Sequence, residues 1–229
     1  MKPLKRIVFF LPLFLACNDH AVEQNAPSKE FEGVITYRIT YDNYPEEFSY
    51  GDTMKAWYSK GDLIKLYNGK AVNGMRKELF LLKGNKYYFQ MGKYDSLFSY
   101  NIGSDKFMKL VDSRHSFPET RILGHTCEQI DQDLQLYTAT NHAKEFATFL
   151  YSKDILPVEK DHFKDRKISC FDRFIDESGV FYLQFKGTSQ FDGHTGLSSF
   201  IFTAIDIKEQ PVDPSIFNVD TSLVNLIKM

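Results

Sequence analysis

Between residues 31 and 41 the chain alternates without a break. Phe31, Gly33, Ile35, Tyr37, Ile39 and Tyr41 take one side, and Glu32, Val34, Thr36, Arg38 and Thr40 take the other. Side chains of a strand point to opposite faces in turn, whereas a helix repeats about every 3.6 residues, so this stretch predicts a long amphipathic strand. Such a strand has an apolar face to bury, and the rest of the chain must supply its partners. Composition agrees: aromatic residues make up 15% of the chain, with 21 Phe and 13 Tyr, types that favour half-buried pleated surfaces.

Partners follow at once. After a loop containing Pro45, residues 53–59 and 63–67 flank Lys60-Gly61-Asp62, a glycine-containing hairpin turn. Residues 78–82, 86–91 and 96–102 repeat the design around Lys83-Gly84-Asn85 and Gly92-Lys93-Tyr94-Asp95, giving an antiparallel meander. In residues 79–82 and 87–89 the apolar side chains fall on both faces, which predicts central strands covered on both sides. Residues 104–111, with Ser104 as N-cap and Phe107, Leu110 and Val111 at helical spacing, predict a small covering helix.

The second half reads as further strands over residues 121–130 (turning at Gly124), 134–140, 145–152, 180–186 and 198–207. Between residues 159 and 178 the period changes. Ile168, Phe171, Phe174 and Ile175 are three to four apart, predicting a helix across the sheet. At the end, Asp213-Pro214 with Ile216 and Phe217 predicts a docking turn, and Leu223, Val224, Leu226 and Ile227 a short amphipathic helix. With no internal repeat and no interdomain linker, residues 30–229 read as one mainly β (β-rich α+β) domain with a few covering helices.

The N-terminus carries a different message. Lys2, Lys5 and Arg6 precede a ten-residue apolar run, residues 7–16, broken only by Pro12 and followed by Cys17. Ten apolar residues are half of the roughly 20 that a permanent span needs, so residues 1–16 read as a secretory signal removed on export. Phe14-Leu15-Ala16-Cys17 resembles the lipobox of bacterial lipoproteins, with Phe14 where Leu is usual. That resemblance implies acylation of Cys17 and an anchor in a membrane; an ordinary signal peptide with a cysteine is the alternative. Residues 17–29 are then a lipidated end and flexible tether, polar and without apolar period. Removing the leader takes three cations away and the net charge from −2 to −5. A mildly acidic chain without a basic block has no general attraction for nucleic acid.

Three further stretches carry a resemblance of their own: Phe31-Glu32-Gly33-Val34-Ile35-Thr36-Tyr37, Ile122-Leu123-Gly124-His125-Thr126-Cys127-Glu128, and Pro211-Val212-Asp213-Pro214-Ser215-Ile216-Phe217. Together with Tyr151-Ser152-Lys153-Asp154 and Pro157, they resemble signatures of uncharacterised exported proteins of Bacteroides-type bacteria, similar in outline to the lipoprotein-carrier fold. The resemblance implies a strongly curved antiparallel sheet or incomplete β-barrel whose concave face holds an apolar cavity plugged by helices. It brings no catalytic residues with it.

Candidate chemistry is sparse. The chain has no G-x-S-x-G elbow, phosphate loop, G-x-G-x-x-G turn or H-E-x-x-H pair, so no enzyme is expected, although a site dispersed in sequence escapes such searches. His125 and Cys127, two apart, share a strand face, and His115 lies ten residues earlier; these are too few ligands for structural zinc, and neither a metal nor a cofactor is expected. In an exported chain Cys127 and Cys170 are candidates for a disulfide worth up to about 4 kcal/mol; two buried thiols too far apart to bridge are the alternative. Asp161, Asp165, Asp172, Asp176 and Glu177 interleave with Lys160, Lys164, Arg166, Lys167 and Arg173 as a salt-bridged solvent face. Trp57, Tyr58, Tyr87 and Phe89 are either packed core or the lining of an apolar cavity. The expectation is a noncatalytic lipoprotein of the cell envelope, in the outer membrane facing the periplasm, binding a lipid or other hydrophobic molecule in a half-barrel. The alternative is a structural or interaction module with an envelope protein as partner.

Overall fold

The computed structural model describes residues 29–101, 108–137, 142–167, 170–189 and 196–226. Residues 1–28, on which the expected leader, Cys17 and most of the expected tether fall, lie outside them. The first six strands, β1 (Gly33–Asp42), β2 (Thr53–Ser59), β3 (Asp62–Tyr67), β4 (Met75–Leu81), β5 (Lys86–Met91) and β6 (Leu97–Asn101), are consecutive antiparallel neighbours. This is the expected meander. The turn between β2 and β3 takes Lys60 and Gly61 to φ of 47° and 91°, the left-handed pair that matches strand twist in a two-residue hairpin.

The remaining strands are β7 (Met108–Ser116), a short separate hairpin of β8 (Arg121–Ile122) and β9 (His125–Thr126), then β10 (Glu128–Tyr137), β11 (His142–Tyr151), β12 (Gln184–Ser189), β13 (Ser198–Glu209) and β14 (Val224–Leu226). β1 joins the two series by pairing with β13, and twelve strands form one sheet in the order β14-β6-β5-β4-β3-β2-β1-β13-β12-β11-β10-β7. All neighbours are antiparallel except β14 and β6. The end strands β14 and β7 do not pair, so the sheet stays open.

It is also strongly curled. Glu78 on β4 and Phe149 on β11 line the same small cavity, although six strand spacings separate them. In a flat sheet that would be roughly 29 Å, at about 4.8 Å per strand. The mainly β, strongly curved open sheet with few helices is therefore the architecture of the chain.

The concave face is filled by the excursion between β11 and β12. It makes a 3-10 turn (Lys160–His162), one helix, α1 (Phe171–Ser178), and an extended run in which Val180, Phe181, Tyr182 and Leu183 are all buried. Phe174 on α1 stacks on Phe149 of β11 with centroids 4.2 Å apart, and Phe181 meets Tyr58 of β2 edge-on at 4.9 Å. The plug is thus pinned to both series of strands.

The convex face of β2–β5 is covered from the C-terminal side. Val212, Ile216, Phe217 and Val219 pack on Trp57, Ile64, Leu79 and Tyr88, with Pro214–Phe217 forming the expected docking turn. Asp213 caps that turn by accepting from the Ser215 amide at 2.9 Å. Two-sided apolar strands are covered on two sides, as their pattern requires.

Four expectations need correcting. The helix expected over residues 159–178 is only eight residues long, because the chain turns tightly at residues 160–166 and Cys170 takes a left-handed φ of 50°. Residues 180–183 lie in the plug, with β12 starting at Gln184. In place of a helix over residues 104–111, Met108 to Val111 open β7, and residues 104–107 lie outside the described segments. A register shift pairs Asp133 with Asp112 but Leu134 with Leu110, so Val111 is the extra residue of a bulge, 62% exposed. That bulge put Leu110 and Val111 at helix-like spacing. Finally, residues 223–226 form the end of a 3-10 turn (Thr221–Leu223) and then β14, drawn into extended form by the free edge of β6; Ile227 is outside the described residues.

Candidate functional site

The concave face holds a cavity in two adjoining compartments, with Tyr50, Met75, Phe185 and Phe200 lining both. The inner compartment has a volume of about 150 Å3, comparable to an engineered cavity that takes up benzene. The outer has about 440 Å3, inside the range of about 300–1,000 Å3 of small-molecule sites. Phe146 lines the outer compartment and is itself 37% exposed, so this compartment reaches the surface.

The walls follow from strand period. On β3 and β4, Leu63, Lys65 and Tyr67 alternate onto the inner face opposite Glu78 and Phe80. On β13, Phe200 and Phe202 do the same, their rings 5.0 Å apart. Tyr50 stands over Tyr67, Phe200 and Phe202 at 5.3, 5.2 and 5.8 Å. Its loop is fixed by Tyr41, whose hydroxyl donates to the Gly51 carbonyl at 2.6 Å and accepts from the Tyr50 amide at 2.8 Å. Met75, Met91 and Met108 contribute unbranched, adaptable surface to the outer compartment.

Charges sit at the inner end. The Glu78 carboxylate accepts from the hydroxyls of Tyr67 and, at 2.7 Å, Tyr87, and pairs with the Lys65 ammonium at 3.5 Å. Burial pushes the Glu78 carboxyl up, but the Lys65 charge and the two tyrosines outweigh it and leave its pKa below the ordinary value. Burial likewise opposes the Lys65 charge, and Glu78 reverses the balance, so its pKa ends above that of an ordinary lysine. Lys65 and Glu78 are a satisfied pair.

Arg166 is not. It is 3% exposed and lines the inner compartment. Its guanidinium lies 4.5 Å from the ring centre of Phe163 and 5.3 Å from that of Phe80. One amino nitrogen, Nη2, donates to the Gly61 carbonyl. The other, Nη1, is buried with no hydrogen-bond partner among the described residues. Burial pulls the pKa of Arg166 down to about 10, which represents a charge destabilised by on the order of 3 kcal/mol. Both amide atoms of Gln132, fully buried on β10, are also without a partner among the described residues.

The four aromatic candidates fall elsewhere. Trp57 is on the convex face, in the cluster under the docking turn. Tyr58 is buried in the concave core, bordering only a void of about 10 Å3. Its hydroxyl donates to Glu30, whose Oε1 also lies 2.9 Å from Nδ1 of His162 and accepts from the Glu159 amide at 3.2 Å. Those bonds tie the plug to β2. Tyr87 supports Glu78, and Phe89 is half-buried beside it, ring centres 5.7 Å apart.

Cys127 and Cys170 are both buried, and the expected disulfide between them is not formed in the structure. Cys127 Sγ instead donates to the His125 carbonyl at 3.6 Å, and Cys170 occupies the N-cap position of α1. Among the described residues no three His, Cys, Asp or Glu side chains gather as a metal site, and no helix is long and apolar enough to cross a membrane. The run of charges at residues 160–177 is only partly a solvent face: Asp161, Asp165 and Asp176 are exposed, but Asp172 is buried against Lys167 at 2.6 Å and Arg166 turns inward.

The arrangement is an aromatic and methionine-lined space with the Lys65–Glu78 pair and the Arg166 guanidinium at its inner end. No family model, curated protein or solved structure matches the chain.

Proposed function

We propose that this chain is a noncatalytic lipoprotein of the cell envelope that holds a lipid or other hydrophobic molecule in the concave half of its open barrel. The observation that carries this reading is the two-compartment cavity between β3–β4 and β11–β13, apolar along its walls and open to the surface at Phe146. A rigid aromatic wall and an adaptable methionine-bearing wall suit a flexible apolar ligand. The leader and Cys17 support lipid anchoring, and an anchor of several acyl chains makes release from the membrane negligible. Such a protein receives or shelters a ligand at one membrane, the outer membrane facing the periplasm.

Native mass spectrometry of the full chain, purified from bacterial membranes in each of two unrelated detergents, tests both parts. The expected result is a protein mass carrying acyl chains at Cys17, plus a stoichiometric apolar molecule that organic extraction identifies in both preparations. An unmodified N-terminus would remove the anchor. A chain that emerges empty from both and takes up no added lipid would overturn the binding reading in favour of an interaction module.

A further inference from the structure

We infer that the cavity selects an amphiphile with a monoanionic head, a fatty carboxylate being the simplest, and that Arg166 is its receptor. This inference rests on the cavity reading above and adds the chemistry of the ligand's polar end.

The inner compartment is lined by two cations, Lys65 and Arg166, and one carboxylate, Glu78, which leaves one positive charge. Lys65 and Glu78 are 3.5 Å apart and neutralise one another, while the remainder of the wall is aromatic or aliphatic. The uncompensated charge is therefore that of Arg166. No carboxylate is within ion-pair distance of it among the described residues; Asp62 and Glu30 act on it only at longer range. A water molecule at Nη1 would satisfy a hydrogen bond but leave the charge buried, whereas an anion meets both needs.

Geometry holds the guanidinium in place for that role. Phe163 and Phe80 sandwich it, and its Nη2 is fixed on the Gly61 carbonyl, so Nη1 is the donor left for a ligand. Gly61 is favoured there by its left-handed φ of 91°, which makes the hairpin. The outer compartment then takes the hydrocarbon. Among the described residues lining it, Glu145 is the charged side chain, a carboxyl that offers an anionic head no cation to pair with. Charge inside and apolar surface outside orient an amphiphile head first.

The test is equilibrium binding of hexadecanoate and hexadecanol to the full chain and its variants, at neutral pH. The two probes have the same tail. Hexadecanoate is expected to bind at least about tenfold more tightly, as a charge-assisted hydrogen bond in a buried site requires. Arg166→Met should abolish that preference, bringing the two affinities within about twofold of each other. Because removing Arg166 disturbs a packed sandwich, Glu78→Gln serves as a second variant with the opposite sign. It leaves Lys65 unneutralised and should widen the preference for the carboxylate. Misfolding would not push the two variants in opposite directions. Equal binding of both probes to the unaltered chain, or a preference that survives Arg166→Met, overturns the assignment of Arg166 while the hydrophobic cavity stands. Binding of neither probe overturns both.

Discussion

Phe174 and Phe217 are each carried by a connecting segment and pressed onto the same sheet from opposite sides. Phe174 is fully buried, stacked on Phe149 at 4.2 Å and meeting Tyr151 and Tyr182 as well. Phe217 keeps 7% of its surface exposed in a cluster built around Ile64, Leu79 and Val212. The concave cover is part of the main core and leaves a cavity with buried charges. The convex cover packs on Trp57, Ile64, Leu79 and Tyr88 and, among the described residues, contains no buried polar side chain without a partner. An amphipathic strand needs only one cover; here the second face is closed by a strap while the first encloses a cavity.

The largest effect that would expose this asymmetry is on stability. Phe174→Ala is expected to cost about 3–5 kcal/mol, the range for a large aromatic lost from a core that cannot collapse. Phe217→Ala should cost less, below about 3 kcal/mol, because its site borders solvent and can relax. Urea unfolding of the full-length variants measures both. Equal losses would mean that the strap is as much a part of the core as the plug is.

The sequence shows the strap better than the plug, for a physical reason. Pro214, Ile216 and Phe217 act through neighbours in sequence, and alternation in β2–β5 assigns each side chain to a face, so Tyr58 and Tyr87 point inward and Trp57 outward as their positions dictate. Period alone does not reveal which distant strands curl to meet. The cavity is made by β3–β4 meeting β11–β13, a contact across six strand spacings, and Leu63, Lys65, Phe200 and Phe202 carry no local mark of it. Arg166 was hidden more thoroughly. It sits in a run of alternating charges whose simplest meaning is a wet helix face, and a tight turn at residues 160–166, beginning with the 3-10 turn, delivers it to the interior instead. Val111 misled in the opposite direction, a bulge imitating helical period.

A smaller effect separates the two faces by pH. The folded pKa of Glu78 lies below its ordinary value of 4.5, so its carboxylate contributes stability that is fully present above that value and is lost as pH falls through the folded pKa. Glu78→Gln should lower stability at pH 7 by about 1–3 kcal/mol, the cost of weakening hydrogen bonds to a buried charge. It should also lose less than the unaltered chain on going from pH 5 to pH 3. Other carboxylates held low, such as Glu32 and Asp133, contribute to the acid slope of both proteins and cancel in the difference. Phe217→Ala, on the convex side, should keep the unaltered slope. A Glu78→Gln slope identical to that of the unaltered chain would show that the concave charges are not coupled to folding.

The smallest expected effect concerns how the strap is fastened. Glu32, on the segment entering β1, accepts from the Val212 amide at 3.1 Å and the Ser59 hydroxyl at 2.9 Å, joining the C-terminal strap to β1 and β2. Those bonds hold its carboxyl below the usual range, the Val212 amide contributing most. Because the group is near the surface, water replaces much of what is lost, and Glu32→Ala should cost only about 1 kcal/mol. The loss should be local. Hydrogen exchange should quicken at the Val212 amide and in the docking turn while the plug amides, such as those of Val158 and Phe181, exchange as before. Exchange that quickened equally on both faces would mean the two covers open together, so that the cavity could not open without unsealing the outer face of the sheet.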